Sequence, residues 1–182
     1  MSRETRKKRI LKLSVCAMLI GISVVVGALC RTYLTFSVFV RITFENLPII
    51  LSGILFGPVY GLVVGASTDL ISSVISSQDI NPIITVGALS VGLVSGLVSE
   101  MGNMLRANKT LKKIIAVVSA HFVGCLIIKT FGLQVYYFPT TSFWYLFAIR
   151  AGVYAFICVA ETFIILRLLK NKFIKGFSNY EL

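Results

Sequence analysis

Long apolar segments without charge alternate with short charged segments along the chain. The charge-free runs lie between Lys12 and Arg31, Glu45 and Asp69, Asp79 and Glu100, Lys113 and Lys129, and Lys129 and Arg150. They contain 18, 23, 20, 15 and 20 residues respectively. A helix needs about 20 mostly apolar residues to cross the hydrocarbon core of a bilayer. Because the runs do not alternate apolar and polar residues as barrel strands do, they predict membrane-spanning helices.

We predict six helices, at residues 10–30, 45–56, 58–75, 81–105, 110–132 and 143–169. Hydropathy alone would treat the 23-residue run after Glu45 as one helix. However, Gly57-Pro58 lies inside this run, and proline favours the first turn of a new helix while disfavouring helix at the preceding residue. The second helix is then too short to cross the full bilayer alone. The first apolar run is not followed by a small-x-small cleavage site, so we interpret it as a retained helix rather than a signal peptide.

The composition excludes a soluble globular protein. Hydrophobic residues make up 57% of the 182 residues and charged residues only 14%, whereas soluble domains carry roughly 25% charged residues. Such a chain has too few charges to cover a soluble surface. We therefore predict a single all-α integral membrane domain over residues 1–182.

The positions of the lysines and arginines favour six membrane-spanning helices over five. With six, 14 of the 18 cations lie on one side of the membrane, and with five, eight of these 14 move to the far side. The positive-inside rule therefore predicts six helices with both termini in the cytoplasm. The 14 are Arg3, Arg6, Lys7, Lys8, Arg9, Lys12, Arg106, Lys109, Lys112, Lys113, Arg167, Lys170, Lys172 and Lys175. No basic run is interleaved with aromatic residues in the manner of nucleic-acid-binding proteins, so no nucleic-acid partner is expected.

The cysteines and the single histidine give no pattern for a metal or a disulfide. The four cysteines show no CxxC spacing, and His121 has no second ligand at metal spacing. We interpret the cysteines as packing residues and His121 as a neutral, hydrogen-bonded helix residue. No metal or cofactor is therefore expected.

Small residues recur every fourth position in two segments, each of which ends in an acid. The segments are Gly53, Gly57, Gly61, Gly65 and Asp69, and Ala88, Gly92, Gly96 and Glu100. Small residues at this spacing let membrane helices approach closely. Asp69 stands apart, because an ionisable residue within a membrane helix is costly to desolvate and thereby indicates a functional site. We interpret Glu100 and Glu161 as structural acids that link helices.

Aromatic and polar residues are concentrated on the predicted outer side. They are Tyr33, Phe36 and Phe39 in one loop, and Gln134, Tyr136, Tyr137, Phe138, Pro139, Phe143, Trp144 and Tyr145 in another. An interfacial aromatic belt would explain the rings equally well. With Asp69 and the four outer cations, Arg31, Arg41, Lys129 and Arg150, they suit a planar, polar, anionic ligand. The predicted ligand-binding residues are Arg41, Phe44, Asn46, Asp69, Ser72, Lys129, Tyr136, Tyr137, Trp144 and Arg150.

The segment RITFENLPIILSGILFGPVYG, which begins at Arg41, and VGASTDL, which contains Asp69, resemble the substrate-binding S components of energy-coupling factor transporters. The resemblance is greatest to the folate-specific members. It implies a prokaryotic plasma-membrane protein that captures folate outside the cell and docks on a transmembrane coupling protein with two ATP-binding subunits. The chain contains no GxxxxGK[ST] phosphate loop, so the partner subunits rather than this chain would hydrolyse ATP.

The resemblance also implies a contact face for the coupling protein. The first helix of the family carries an Ala-xxx-Ala face, which Ala17 and Gly21 match here, with Ala28 two turns on. The alternative is that these small residues pack within the chain.

Other functions stay open at this point. An S component for a pantothenate- or thiamine-type vitamin, a membrane enzyme that acts on lipid, and a structural membrane partner are the alternatives. The sequence shows no HExxH or GxSxG motif, which disfavours the enzyme.

Overall fold

A computed structural model describes residues 3–35, 41–76, 80–105 and 108–171. It confirms the all-α prediction: apart from an isolated bridge between Thr35 and Arg41, the described residues form no β-structure. The helices are α1 (Arg3–Tyr33), α2 (Asn46–Phe56), α3 (Pro58–Ile75), α4 (Pro82–Met104), α5 (Lys109–Ala120), a π-helix (His121–Ile128), α6 (Lys129–Tyr137) and α7 (Phe143–Leu168). Among the residues of the sequence analysis, Phe36, Phe39, Asp79, Arg106, Lys172 and Lys175 lie outside the described residues.

In the part of the chain that the structure describes, five helices are long and apolar enough to cross a membrane by length and composition. They are Arg6–Tyr33, Pro58–Ile75, Pro82–Met104, Lys109–Tyr137 and Phe143–Leu168. α2 has 11 residues, which is about 16 Å at about 1.5 Å per residue, against a hydrocarbon core of about 30 Å. The count of six spans and the cytoplasmic termini therefore stay predictions.

The break between α2 and α3 follows from Gly57-Pro58. Gly57 has φ +93°, a backbone conformation that residues with a side chain rarely adopt. Pro58 is the first residue of α3, where its missing N–H costs no hydrogen bond. The chain therefore turns sharply between two apolar helices.

The loop expected after residue 132 is in part helix. α5, the π-helix and α6 run without a break to Tyr137, so Gln134, Tyr136 and Tyr137 are helical. Gly132 does not end the helix because it packs against Ile83 and Ile84 of α4. The helix ends just before Pro139, which disfavours helical backbone at the residue before it.

α3 and α4 pack backbone to backbone through their glycines. A Cβ added to Gly92 would meet the backbone of Gly61, and one added to Gly65 would meet the backbone of Ala88. Gly96 lies in the same way against Gly57 and Pro58. The small-residue spacing in the sequence is therefore a packing feature, and it holds the first half of α3 against α4.

Gly92→Leu is expected to destabilise this contact strongly. Overpacking costs about 1–3 kcal/mol, and lipid gives no hydrophobic gain that offsets a lost fit between helices. The measurement is the thermal unfolding midpoint in detergent. Gly152→Leu is the matched control, because an added Cβ at Gly152 of α7 meets nothing within 4 Å. Equal midpoints for the two variants would contradict the packing argument.

Candidate functional site

A cavity of about 390 Å³ opens at one end of the helix assembly, within the range of about 300–1,000 Å³ typical of small-molecule sites. It lies where α1 and α3 end, α4 begins, α6 ends and α7 begins. Its lining residues are Arg31, Thr35, Arg41, Glu45, Ile49, Thr68, Asp69, Ser72, Ser73, Asn81, Ile84, Ala88, Lys129, Leu133, Tyr137, Phe138, Arg150 and Tyr154. All four cations predicted on the outer side are among them.

The charges of the cavity wall do not balance. Among the described residues, its cations are Arg31, Arg41, Lys129 and Arg150, and its acids are Glu45 and Asp69. Four positive charges against two negative ones leave the wall at +2. Such an excess favours an anionic ligand.

Glu45 is the centre of an ion-pair cluster at the start of α2. Its Oε1 lies 3.6 Å from the Arg41 guanidinium and 3.7 Å from Lys129 Nζ, and Lys129 Nζ also donates to Asn46 Oδ1 at 3.3 Å. Glu45 is buried, and the two cations beside it offset the cost of burying its charge. Glu45 is therefore an anion that fixes two of the cations in the wall.

Asp69 lies on the α3 side of the cavity with one oxygen anchored. Thr85 Oγ1 of α4 donates to Asp69 Oδ2 at 2.7 Å. The hydroxyls of Thr68, the preceding residue, and of Ser72, one turn further on, are buried and have no hydrogen-bond partner among the described residues. Buried polar groups are normally hydrogen-bonded, so this stretch of α3 has hydrogen-bonding capacity left for a ligand.

In the described part of the chain, the partners of Arg150 are neutral. Its Nε donates to Thr130 Oγ1 at 3.0 Å, and its guanidinium donates to the Tyr154 hydroxyl at 3.2 Å. The guanidinium carbon also lies 5.2 Å from the centre of the Tyr154 ring. Arg150 forms no salt bridge within the described part of the chain, so its charge is available to a bound anion.

Six of the ten predicted ligand-binding residues line this cavity, namely Arg41, Asp69, Ser72, Lys129, Tyr137 and Arg150. The other four do not. Asn46 is buried behind Lys129, and Phe44 packs against the hydrophobic core. Tyr136 and Trp144 are 53% and 73% exposed, which fits the interfacial belt rather than a binding pocket.

Several lining residues have no role in the sequence prediction. Glu45, Asn81 and Tyr154 were not among the predicted ligand-binding residues, although Arg41 and Glu45 are spaced four apart in a way that could have indicated an ion pair. Asn81 carries a further signal, since it precedes Pro82 and caps α4 by accepting from the amides of Ile83 and Ile84. Nothing in the sequence around Tyr154 indicates that it lines a cavity.

Ala17 and Gly21 lie on an outward face of α1. Both are exposed, and a Cβ added to Gly21 meets nothing within 4 Å. The structure therefore does not support the alternative that these residues pack within the chain. Met18, Ile22, Val25 and Val26 form a shallow apolar groove with Gly21.

No metal centre is evident in residues 3–35, 41–76, 80–105 and 108–171. Within these ranges, no group of three or more His, Cys, Asp or Glu side chains lies close enough to hold a metal ion.

Comparison with known proteins gives a family and a fold. The family model described as "ECF transporter, substrate-specific component" matches residues 11–176. The fold is similar to that of a solved structure described as "Crystal structure of FolT bound with folic acid", with a TM-score of 0.68. The two chains are 18% identical over 86% of this chain and 90% of that chain. No curated protein sequence matches.

Proposed function

Because the chain belongs to the substrate-specific components of energy-coupling factor (ECF) transporters, we propose that it binds folate in the cavity and delivers it for uptake. Members of this family are multi-pass membrane proteins that bind substrate for a transporter, and the five long apolar helices agree with that role. Folate is the ligand proposed for this chain because of the chemistry of the cavity.

The observation that carries the proposal is the charged wall, with four cations against two acids. Folate combines a flat pterin ring, which offers amino and ring N–H donors, with a glutamate that carries two carboxylates. Asp69 on one side of the cavity and the cations on the other match these two ends. The fold shared with a folate-bound protein supports the same ligand.

In this proposal, Asp69 accepts hydrogen bonds from the pterin. Thr85 anchors one carboxylate oxygen of Asp69, which leaves the other for the ligand. Arg150, Lys129 and Arg41 face the same cavity and bind the glutamate carboxylates, with Arg150 foremost because it forms no ion pair within the described residues. Tyr137 and Phe138 supply rings at the rim.

The transport step needs partners that supply energy. We propose that the chain docks on a transmembrane coupling protein and that two ATP-binding subunits hydrolyse ATP. The cavity faces outward in the plasma membrane of a prokaryote, which follows from the predicted orientation by the positive-inside rule.

A titration of the purified protein with folate, pantothenate and thiamine tests the ligand. The proposal predicts that folate binds at least about a hundredfold more tightly than the other two, a difference of about 2.8 kcal/mol. Thiamine is a cation and would face an excess of positive charge, and pantothenate has one carboxylate and no flat ring. If pantothenate or thiamine bound more tightly than folate, folate would not be the ligand.

Removing a cation that binds the glutamate of folate is expected to weaken the binding of folate but not that of a bare pterin. Arg150→Ala should weaken folate binding about tenfold, because a hydrogen bond to a charged group contributes about 1.5–3 kcal/mol. Arg41→Ala and Lys129→Ala should show smaller losses, since both cations already pair with Glu45. Affinities are measured by titration with folate and with a pterin that lacks the glutamate.

Lys109→Ala is the control for these variants. Lys109 lies at the start of α5, far from the cavity end of the same continuous helix, and its loss should change neither affinity. If Arg150→Ala weakens both ligands equally, Arg150 contacts the pterin or supports the fold, and its assignment to the tail is wrong.

A further inference from the structure

A buried histidine and glutamate face each other beneath the cavity. His121, the first residue of the π-helix, and Glu161 of α7 are 2% and 0% exposed. His121 Nε2 lies 3.2 Å from Glu161 Oε2, a close contact that is not a well-aligned hydrogen bond. Neither residue lines the cavity, so neither is a direct ligand contact.

The second ring nitrogen of His121 determines where its proton lies. Nδ1 is 3.0 Å from the backbone carbonyl oxygen of Val117. A carbonyl can only accept, so Nδ1 carries the hydrogen. Glu161 Oε2 faces the other ring nitrogen, Nε2, at 3.2 Å, so the imidazole is contacted on both sides.

A chain of contacts leads from this pair to the cavity. The His121 ring lies 5.9 Å from the Tyr154 ring, centre to centre. The Tyr154 hydroxyl accepts from Arg150 at 3.2 Å, and the guanidinium lies over the Tyr154 ring. Tyr154 and Arg150 both line the cavity.

We propose that His121 and Glu161 are positioning residues that hold Tyr154, and through it Arg150, in the geometry that binds an anionic ligand. Contacts of His121 with Val117 and Glu161 on its two sides fix the orientation of its ring. This inference rests on the proposed function, since it requires Arg150 to bind folate.

The test compares folate affinity among Glu161→Leu, Glu161→Gln and the wild type. Leucine removes the contact that orients His121, and folate binding should weaken about fivefold. Glutamine is neutral, has nearly the same shape and can donate to Nε2, so binding should stay within about twofold of the wild type. Equal losses in the two variants would overturn the proposal.

The combination with Arg150→Ala separates positioning from a general effect on the fold. If Glu161 acts through Arg150, adding Glu161→Leu to Arg150→Ala should cause no further loss of folate affinity. A further fivefold loss would overturn the proposal. An unchanged affinity in Arg150→Ala alone would instead contradict the folate site itself, so the two failures can be told apart.

Glu161→Leu leaves His121 buried without its partner, which can prevent folding. In that event the variant is His121→Phe with Glu161→Leu, in which no unpaired polar group is buried. This double variant should unfold near the wild-type temperature and bind folate about fivefold more weakly. Wild-type affinity in the folded double variant would overturn the proposal.

Discussion

Replacing Gly21 with tryptophan is expected to abolish ATP-driven folate uptake while leaving folate binding by the isolated protein nearly intact. Gly21 lies on the exposed face of α1, beside Met18 and Ile22, and is remote from the cavity lining. Close contacts between membrane helices depend on small residues, and lipid gives no hydrophobic gain to offset a lost fit. A bulky side chain at this position therefore blocks a partner helix without entering the binding cavity.

Uptake, recovery of the complex with the coupling module and folate affinity are measured on the same variant. Ala17→Trp, one turn earlier on the same exposed face, should behave in the same way. Gly152→Trp is the matched control, since this exposed glycine of α7 also has open space around it. Uptake at the wild-type rate in Gly21→Trp, or loss of uptake only together with folate binding, would show that this face does not dock on the coupling protein.

Asp69→Asn is expected to weaken folate binding at least about tenfold, which corresponds to about 1.4 kcal/mol. Thr85 donates to one oxygen of Asp69, so the amide oxygen of asparagine keeps this bond. The amide nitrogen is then directed at the ligand, and a donor takes the place of the acceptor that the pterin needs. Each charge-assisted bond to the carboxylate contributes about 1.5–3 kcal/mol.

Glu100→Gln is the control for Asp69→Asn. Glu100 is an exposed acid near the end of α4 that lies beside Gly57, and it is absent from the cavity lining. Its neutralisation removes one negative charge from the protein without touching the cavity, so folate affinity should not change. An unchanged affinity in a folded Asp69→Asn protein would remove Asp69 from the site.

The helices could be predicted from the sequence because bilayer thickness and backbone chemistry leave few alternatives. Charge-free runs located the helices, and the Gly57-Pro58 dipeptide located the turn between α2 and α3. The helix through Gln134, Tyr136 and Tyr137 was not predicted, because the packing of Gly132 on Ile83 and Ile84 of α4 is a tertiary contact. The sequence alone does not show which glycines lie inside a helix because side chains of a neighbouring helix pack against them.

The lining of the cavity was predicted in part, and the difference has a physical cause. Charges that lie far from the 14 cations of the predicted cytoplasmic side are conspicuous in an apolar chain. For this reason Arg41, Lys129, Arg150 and Asp69, which line the cavity, could be identified as candidates from the sequence. Tyr154 was missed because its place in the wall depends on the packing of α7 against α6 and the π-helix. Trp144 was predicted as a ligand-binding residue but does not line the cavity, and aromatic residues of a site and of a membrane interface look alike in sequence.

The most direct test of a folate-specific component is the mass spectrum of the ligand that the protein retains when it is purified from folate-replete cells. The account predicts folate or a reduced folate, in a ratio near one per protein. Asp69→Asn, purified in parallel, should retain much less. A different vitamin bound at this ratio to the folded wild-type protein would contradict the account.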